Sequence, residues 1–206
     1  MNYIGIDIGS TCAKTVVLNE KKEFIQEFVQ PTGWSSVDTA EEILQKLKLA
    51  GINLSDDPSC CVATGYGRIS VPYADKAVTE ITCHALGAVH LFHQPDLTVI
   101  DIGGQDTKII QIEQGFVKDF IMNDKCAAGT GRFLEVMANT LSLRPNEMFE
   151  LARLGSDTTI SSMCTVFAES EVIGLIGKGE PKENIAYAVV DSTIRKVTAQ
   201  LSRMNG

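Results

Sequence analysis

The chain opens on an apolar run, Tyr3-Ile-Gly-Ile-Asp7-Ile, which stops at Gly9-Ser-Thr11 and resumes as a second apolar run over residues 14–19. Short β-branched runs split by a glycine turn predict a strand, a tight turn and a strand. Residues 23–30 read as a third strand, closed by Pro31-Thr-Gly33. The period then changes. Apolar Val37, Ala40, Ile43, Leu44 and Leu47, with charges between them, predict a helix over Ser36–Leu49, capped by Ser36 or Asp38 and followed by Gly51. A short buried strand at 60–64 stops at Gly65-Tyr-Gly67-Arg68, and a mostly apolar helix spans 79–92.

Past the turn Gln94-Pro95-Asp96 the opening order recurs, with strands at 97–102, 107–112 and 116–122. Helices are predicted at 130–141, 145–154, 165–178 and 182–204. The same triplet ends the first strand of each series: Asp7-Ile-Gly9 and Asp101-Ile-Gly103. This is an internal repeat at the level of structure. The expected fold is α/β, with two domains, 1–94 and 95–206, whose mixed sheets are covered by helices.

Composition sets the setting more than the chemistry. A chain of 206 residues, 44% hydrophobic and 21% charged, can bury one large core or two small ones. No apolar run reaches the ~18–20 residues that span a bilayer, and a strand directly follows Met1. The expectation is therefore a cytoplasmic protein without a membrane partner. A net charge of −8 argues against nucleic acid, whose phosphates require a basic face. Six cysteines without a signal segment predict reduced thiols, and with no CxxC pair a self-contained zinc site is not expected. Cys12, Cys60, Cys61 and Cys83 read as small buried residues, and His84 as a core histidine on an apolar helix.

A carboxylate at the end of a buried strand is costly without a cation or donors nearby. The glycines after it let backbone N–H groups approach a ligand. Two such hairpins facing each other can clamp a polyphosphate, with Asp7 and Asp101 holding magnesium through water. Thr11, Lys14 and Gln105 add a hydroxyl, an ammonium and an amide at the same turns. Cys126, ahead of Ala127-Ala-Gly129-Thr-Gly131, and Cys164, after Ser161-Ser162, each stand before a predicted helix, with Thr130 as a cap for the first. Such thiols are either activated by the helix dipole or simply buried, and the residues alone do not choose.

The two corners resemble the phosphate motifs of the superfamily of actin, sugar kinases and heat-shock chaperone ATPases. Longer segments carry a closer resemblance: Ala63–Arg68, Asp101–Asp106, Met122–Phe133 and Cys164-Thr-Val-Phe-Ala-Glu-Ser-Glu171. They look like the activator ATPases (component A) of 2-hydroxyacyl-CoA dehydratases, the BadF/BadG/BcrA/BcrD family, with related subunits in benzoyl-CoA reductases. The resemblance runs from residue 3 to about residue 200. It implies an actin-like (ribonuclease H-like) pair of domains that binds ATP or ADP with magnesium.

By matching position, Asp7 and Asp101 would organise the magnesium, while Gly9, Ser10, Thr11, Gly103 and Gly104 would contact phosphates. Lys14 would join them or stand as a solvated strand residue. Gln105 or Asp106 would orient the attacking water. Gly129, Thr130 and Gly131 would hold a phosphate at a helix start or support a metal cluster. Cys126 and Cys164 would bind half of a 4Fe–4S cluster, completed by the second subunit of a homodimer. An electron from ferredoxin or flavodoxin would then pass to the dehydratase, driven by ATP.

Several residues keep two readings. Arg68 braces its loop or meets the partner enzyme, and Glu169 and Glu171 pair locally or reach the nucleotide. The family continues past the last helix into a strand and a glycine pair, the adenosine motif. No Gly-Gly follows Gly103-Gly104, so the second domain is expected to be incomplete, with an exposed sheet edge. Two other functions compete: a small-molecule kinase of the same superfamily with Asp106 as its base, and a non-catalytic interaction module.

Overall fold

A computed structural model describes residues 1–54, 58–123, 126–161 and 164–204. Asp124 and Lys125 of the 122–133 motif, Ser162 ahead of Cys164 and the last two residues of the expected second domain lie outside the described residues. Two compact units meet in sequence at Gln94 and Pro95.

The first unit is a five-stranded mixed sheet in the order β3-β2-β1-β4-β5. Its strands are β1 (Asn2–Ile8), β2 (Cys12–Leu18), β3 (Phe24–Pro31), β4 (Ser59–Thr64) and β5 (Lys76–Ala77). β1 runs antiparallel to β2 and parallel to β4. Alternation along β1 sends Ile4, Ile6 and Ile8 into the core with Ala40, Ile43 and Leu47 of helix α1 (Ser36–Leu49). Burying each isoleucine is worth about 1.5–3 kcal/mol. A one-residue slip would forfeit all three and turn Asp7 inward, so the register is held firmly.

Ser35, not Ser36 or Asp38, caps α1, its hydroxyl accepting from Asp38 N at 3.2 Å. Helix α2 (Glu80–Phe92) closes the unit. His84 is only half-buried there, with Nε2 3.9 Å from Glu80 Oε1 one turn earlier, and so is no core histidine. Of the four cysteines expected inside, Cys61 is buried, whereas Cys12, Cys60 and Cys83 are half-buried. Burial, then the nearby Asp75 carboxylate, pushes the Cys61 thiol up to about 12. Its thiolate at pH 8 is then roughly one part in ten thousand. Iodoacetamide at that pH is expected to leave Cys61 unlabelled in the native protein and to label it in urea, as read by peptide mass spectrometry.

The second unit opens on β6 (Leu97–Ile102), β7 (Thr107–Glu113) and β8 (Phe116–Asn123). Among the described residues this sheet is antiparallel throughout, not mixed as expected. In the first unit the chain crosses over through α1 and returns as β4 beside β1. In the second it leaves β8 for helices, and no described strand lies on the other side of β6. Ile100 and Ile102 hold the positions of Ile6 and Ile8 in the repeat, yet stand 47% and 43% exposed. Among the described residues β6 is an edge strand of this sheet. Helices α3 (Gly131–Thr140), α4 (Pro145–Ala152), α5 (Thr165–Gly177) and α6 (Lys182–Leu201) follow. Their core joins Phe133 and Met137, Met148, Ala168 and Val172, and Ile185 and Val189. Among the described residues no helix is long and apolar enough to cross a membrane.

Candidate functional site

The first corner is built from β1, β2 and β4. In the sheet register Asp7 stands opposite Lys14 on β2 and Thr64 on β4. Lys14 Nζ donates to Asp7 Oδ2 at 3.0 Å. Partial burial pulls the Lys14 ammonium down, but its hydrogen bond and attraction to Asp7 prevail, and its pKa is raised. Asp7 Oδ1 and Thr64 Oγ1 are both buried and have no hydrogen-bond partner among the described residues. Two orphaned oxygens side by side on neighbouring strands suit a cation held through water, which supplies the missing donors. The corner therefore fits the implied magnesium.

Several groups close this corner from behind. The Thr32 hydroxyl donates to Gly9 O at 2.7 Å and its amide to Thr11 O at 3.1 Å. Gly67 N donates to Ile8 O at 2.9 Å. Gly65 has φ +83, and a Cβ there would lie 2.4 Å from Asp7 Oδ1. Only glycine meets both demands, which explains the Ala63–Arg68 motif. Arg68 Nη1 donates to Gly65 O at 3.0 Å and braces that loop. Ser10 is half-buried and Thr11 exposed at the tip of the turn.

The second corner repeats the first with one inversion. Asp101 stands opposite Lys108 on β7, seven residues on, as Asp7 does opposite Lys14. Lys108, however, is 2% exposed. Its ammonium lies 2.6 Å from Asp106 Oδ1 and 3.4 Å from Asp101 Oδ2. Asp106 folds back beneath Gly103, where a Cβ would come within 2.6 Å of its Oδ1. Gln105 is exposed beside it. Lys108 is a site residue that only the Asp-x6-Lys spacing shared by the two hairpins signals in the sequence.

The start of α3 is joined to this corner. Gly131 N donates to Gly103 O at 2.8 Å, and Arg132 N to Gly104 O at 2.9 Å. Thr107 Oγ1 donates to Gly129 O at 3.0 Å. Thr130 occupies the N-cap position but makes no capping bond, its hydroxyl turning back to Ala127 O. It is fully buried. Gly129, Thr130 and Gly131 thus serve the chain's own backbone, and the two amides at the helix start are engaged by the glycine turn.

The same segment carries Cys126, half-buried against the helical core. Lys196 of α6 donates to its sulfur at 3.8 Å. Cys164 is the N-cap of α5, exposed and without a capping bond. Glu171 accepts from Ser161 N and Oγ, each at 3.1 Å. Glu169 accepts from Thr140 at 3.3 Å. All six cysteines are free thiols. Two free thiols, each just ahead of a helix and one of them open to solvent, are donors of the type a 4Fe–4S cluster takes. Along α5, Val166, Phe167, Ile173 and Ile176 are also exposed.

A strand meander whose first turn is an aspartate–glycine corner, present twice and followed by helices, defines an actin-like ATPase fold. The chain belongs to the BadF/BadG/BcrA/BcrD ATPase family, whose model matches residues 4–206. It is 43% identical over 98% of its length to the (R)-2-hydroxyglutaryl-CoA dehydratase activating ATPase of Acidaminococcus fermentans, of which 77% is covered. The crystal structure of component A of that organism's dehydratase superposes with a TM-score of 0.89 at 41% identity, taking in all of this chain and 80% of the other. The activator of 2-hydroxyisocaproyl-CoA dehydratase from Clostridium difficile, solved with bound ADPNP, gives 0.88 at 36% identity, with 100% and 77% covered.

Proposed function

We propose that the chain is an ATP-dependent electron-transfer activator of a 2-hydroxyacyl-CoA dehydratase, or of a benzoyl-CoA reductase type enzyme. It works in the cytoplasm as a homodimer that shares one 4Fe–4S cluster. One observation carries the reading: the segment bearing Cys126 is hydrogen-bonded directly to the glycine turn of the second phosphate corner. Those bonds end at Gly129, Gly131 and Arg132, three to six residues after Cys126, and so give a change at the turn a short path toward the cysteine.

Gly9, Ser10, Thr11, Gly103 and Gly104 bind phosphate oxygens of ATP, Lys14 adds charge at the first corner, and Asp7 and Asp101 orient magnesium-bound water. The exposed Gln105 positions the attacking water. Asp106, neutralised by Lys108, holds the corner in shape, and the competing kinase reading thereby loses its base. Gly129, Thr130 and Gly131 contribute by fixing the Gly103–Gly104 turn. Cys126 and Cys164 hold half of the cluster, and the apolar face of α5 meets a second copy across a two-fold axis. When bound, the cluster supplies a one-electron carrier between a ferredoxin or flavodoxin donor and the dehydratase.

Anaerobic reconstitution with iron and sulfide tests this reading. The expected product is a brown dimer with visible iron–sulfur absorbance and about four irons per two chains, whose rate of iron loss to a chelator changes with ATP. A colourless monomer under the same conditions would sink it.

A further inference from the structure

Lys196 belongs to none of the motifs, lies seventy positions from Cys126 in sequence, and yet reaches its sulfur. Two features place it there. The ammonium stands 3.8 Å from Cys126 Sγ. The alkyl stem crosses Gly129, where a Cβ would meet Lys196 Cδ at 2.9 Å. Gly129 also adopts φ +80, a conformation that disfavours any other residue. The glycine in the Ala127–Gly131 segment is therefore what admits the lysine. One turn further along α6, Gln200 donates to Thr107 O at 3.2 Å and to Ile121 O at 3.3 Å. These bonds fix the helix against β7 and β8, so the ammonium is held and not swept through solvent.

We infer that Lys196 is a positioning residue for the cluster. Its fixed positive charge beside the Cys126 thiolate steadies the ligand and makes the added electron easier to accept. The inference rests on the cluster reading above. Reduction adds one electron from a low-potential one-electron donor; no bond forms or breaks, and the reduced state carries one more negative charge. A half-buried cation at hydrogen-bond distance from a ligating sulfur favours that state, because hydrogen bonds to the sulfurs and nearby charge set the potential. With two-fold symmetry, two such lysines flank one cluster.

The test is an EPR-monitored redox titration of the reconstituted dimer as wild type, Lys196→Met and Lys196→Arg. Removing the charge is expected to disfavour reduction at least tenfold, which for a one-electron couple is ~59 mV toward lower potential. Lys196→Arg keeps the charge and is expected to stay near wild type, with equal iron content in all three. Should Lys196→Met lose its fold, Lys196→Gln replaces it in the same comparison. A charge-neutral variant with full cluster and an unchanged midpoint overturns the inference while leaving the cluster reading intact. A wild-type chain that takes up no cluster overturns both.

Discussion

Cys164→Ala is expected to abolish the iron–sulfur chromophore while leaving the folded chain nearly as stable as before. Cys164 is exposed and makes no capping bond, so its thiol contributes little to the fold. Substitutions at such positions usually stay within about 0.5 kcal/mol. A 4Fe–4S cluster, in contrast, requires four thiolates. A dimer of this variant offers only Cys126 from each chain, so the loss should be complete, not partial. Cys126→Ala should lose the cluster too, at a larger cost in stability because Cys126 packs against the helical core. Cys60→Ala and Cys83→Ala serve as controls that keep it. Iron analysis and visible absorbance after reconstitution, beside urea unfolding of each variant, make the comparison. A chromophore that survives in Cys164→Ala would remove that residue from the ligand set and, with it, the shared-cluster dimer.

The order of elements was nearly all legible because each announces itself locally. Ile4, Ile6 and Ile8 alternate, Val37, Ala40, Ile43 and Leu47 recur at the helical period, and Gly-Ser-Thr or Gly-Gly-Gln turns separate them. What escaped is what depends on a neighbour. Lys76–Ala77 is a strand only because β4 runs parallel beside it, and Arg68–Ser70 closes as a short 3-10 turn under the Gly65–Gly67 loop. Thr32 looked like the end of a strand, yet it clasps the first glycine turn. Helix α3 looked able to receive a phosphate, but its first amides go to Gly103 and Gly104, a pairing no local pattern encodes. Thr64 is an ordinary strand residue until the parallel register sets its unpartnered hydroxyl beside Asp7. The corners themselves were readable from aspartate and glycine, whereas the groups that brace them come from twenty to ninety residues away.

The two lysines of the repeat separate charge on a surface from charge in a core, and they should behave differently on removal. Lys14 bridges Asp7 with half its side chain in solvent. An exposed pair of that kind contributes about 0–1 kcal/mol, so Lys14→Met should unfold at almost the wild-type urea concentration, its effect falling on nucleotide binding. Lys108 is different. It is enclosed with Asp106, which is 5% exposed at its side chain, and reaches Asp101 as well. Lys108→Met would remove the ammonium beside a buried carboxylate, and breaking a buried pair in this way costs about 3–5 kcal/mol. Because domains near this size lose roughly 4 °C per kcal/mol, the second unit should melt well below wild type. The double variant Lys108→Met with Asp106→Asn removes both charges together and should recover most of that stability. ATP turnover should nevertheless stay low, since Asp101 no longer has the ammonium that orients its carboxylate. Urea unfolding and phosphate release on the four proteins would decide the matter. Equal stability of Lys108→Met and Lys14→Met would show that the inner ion pair does not hold the second corner together.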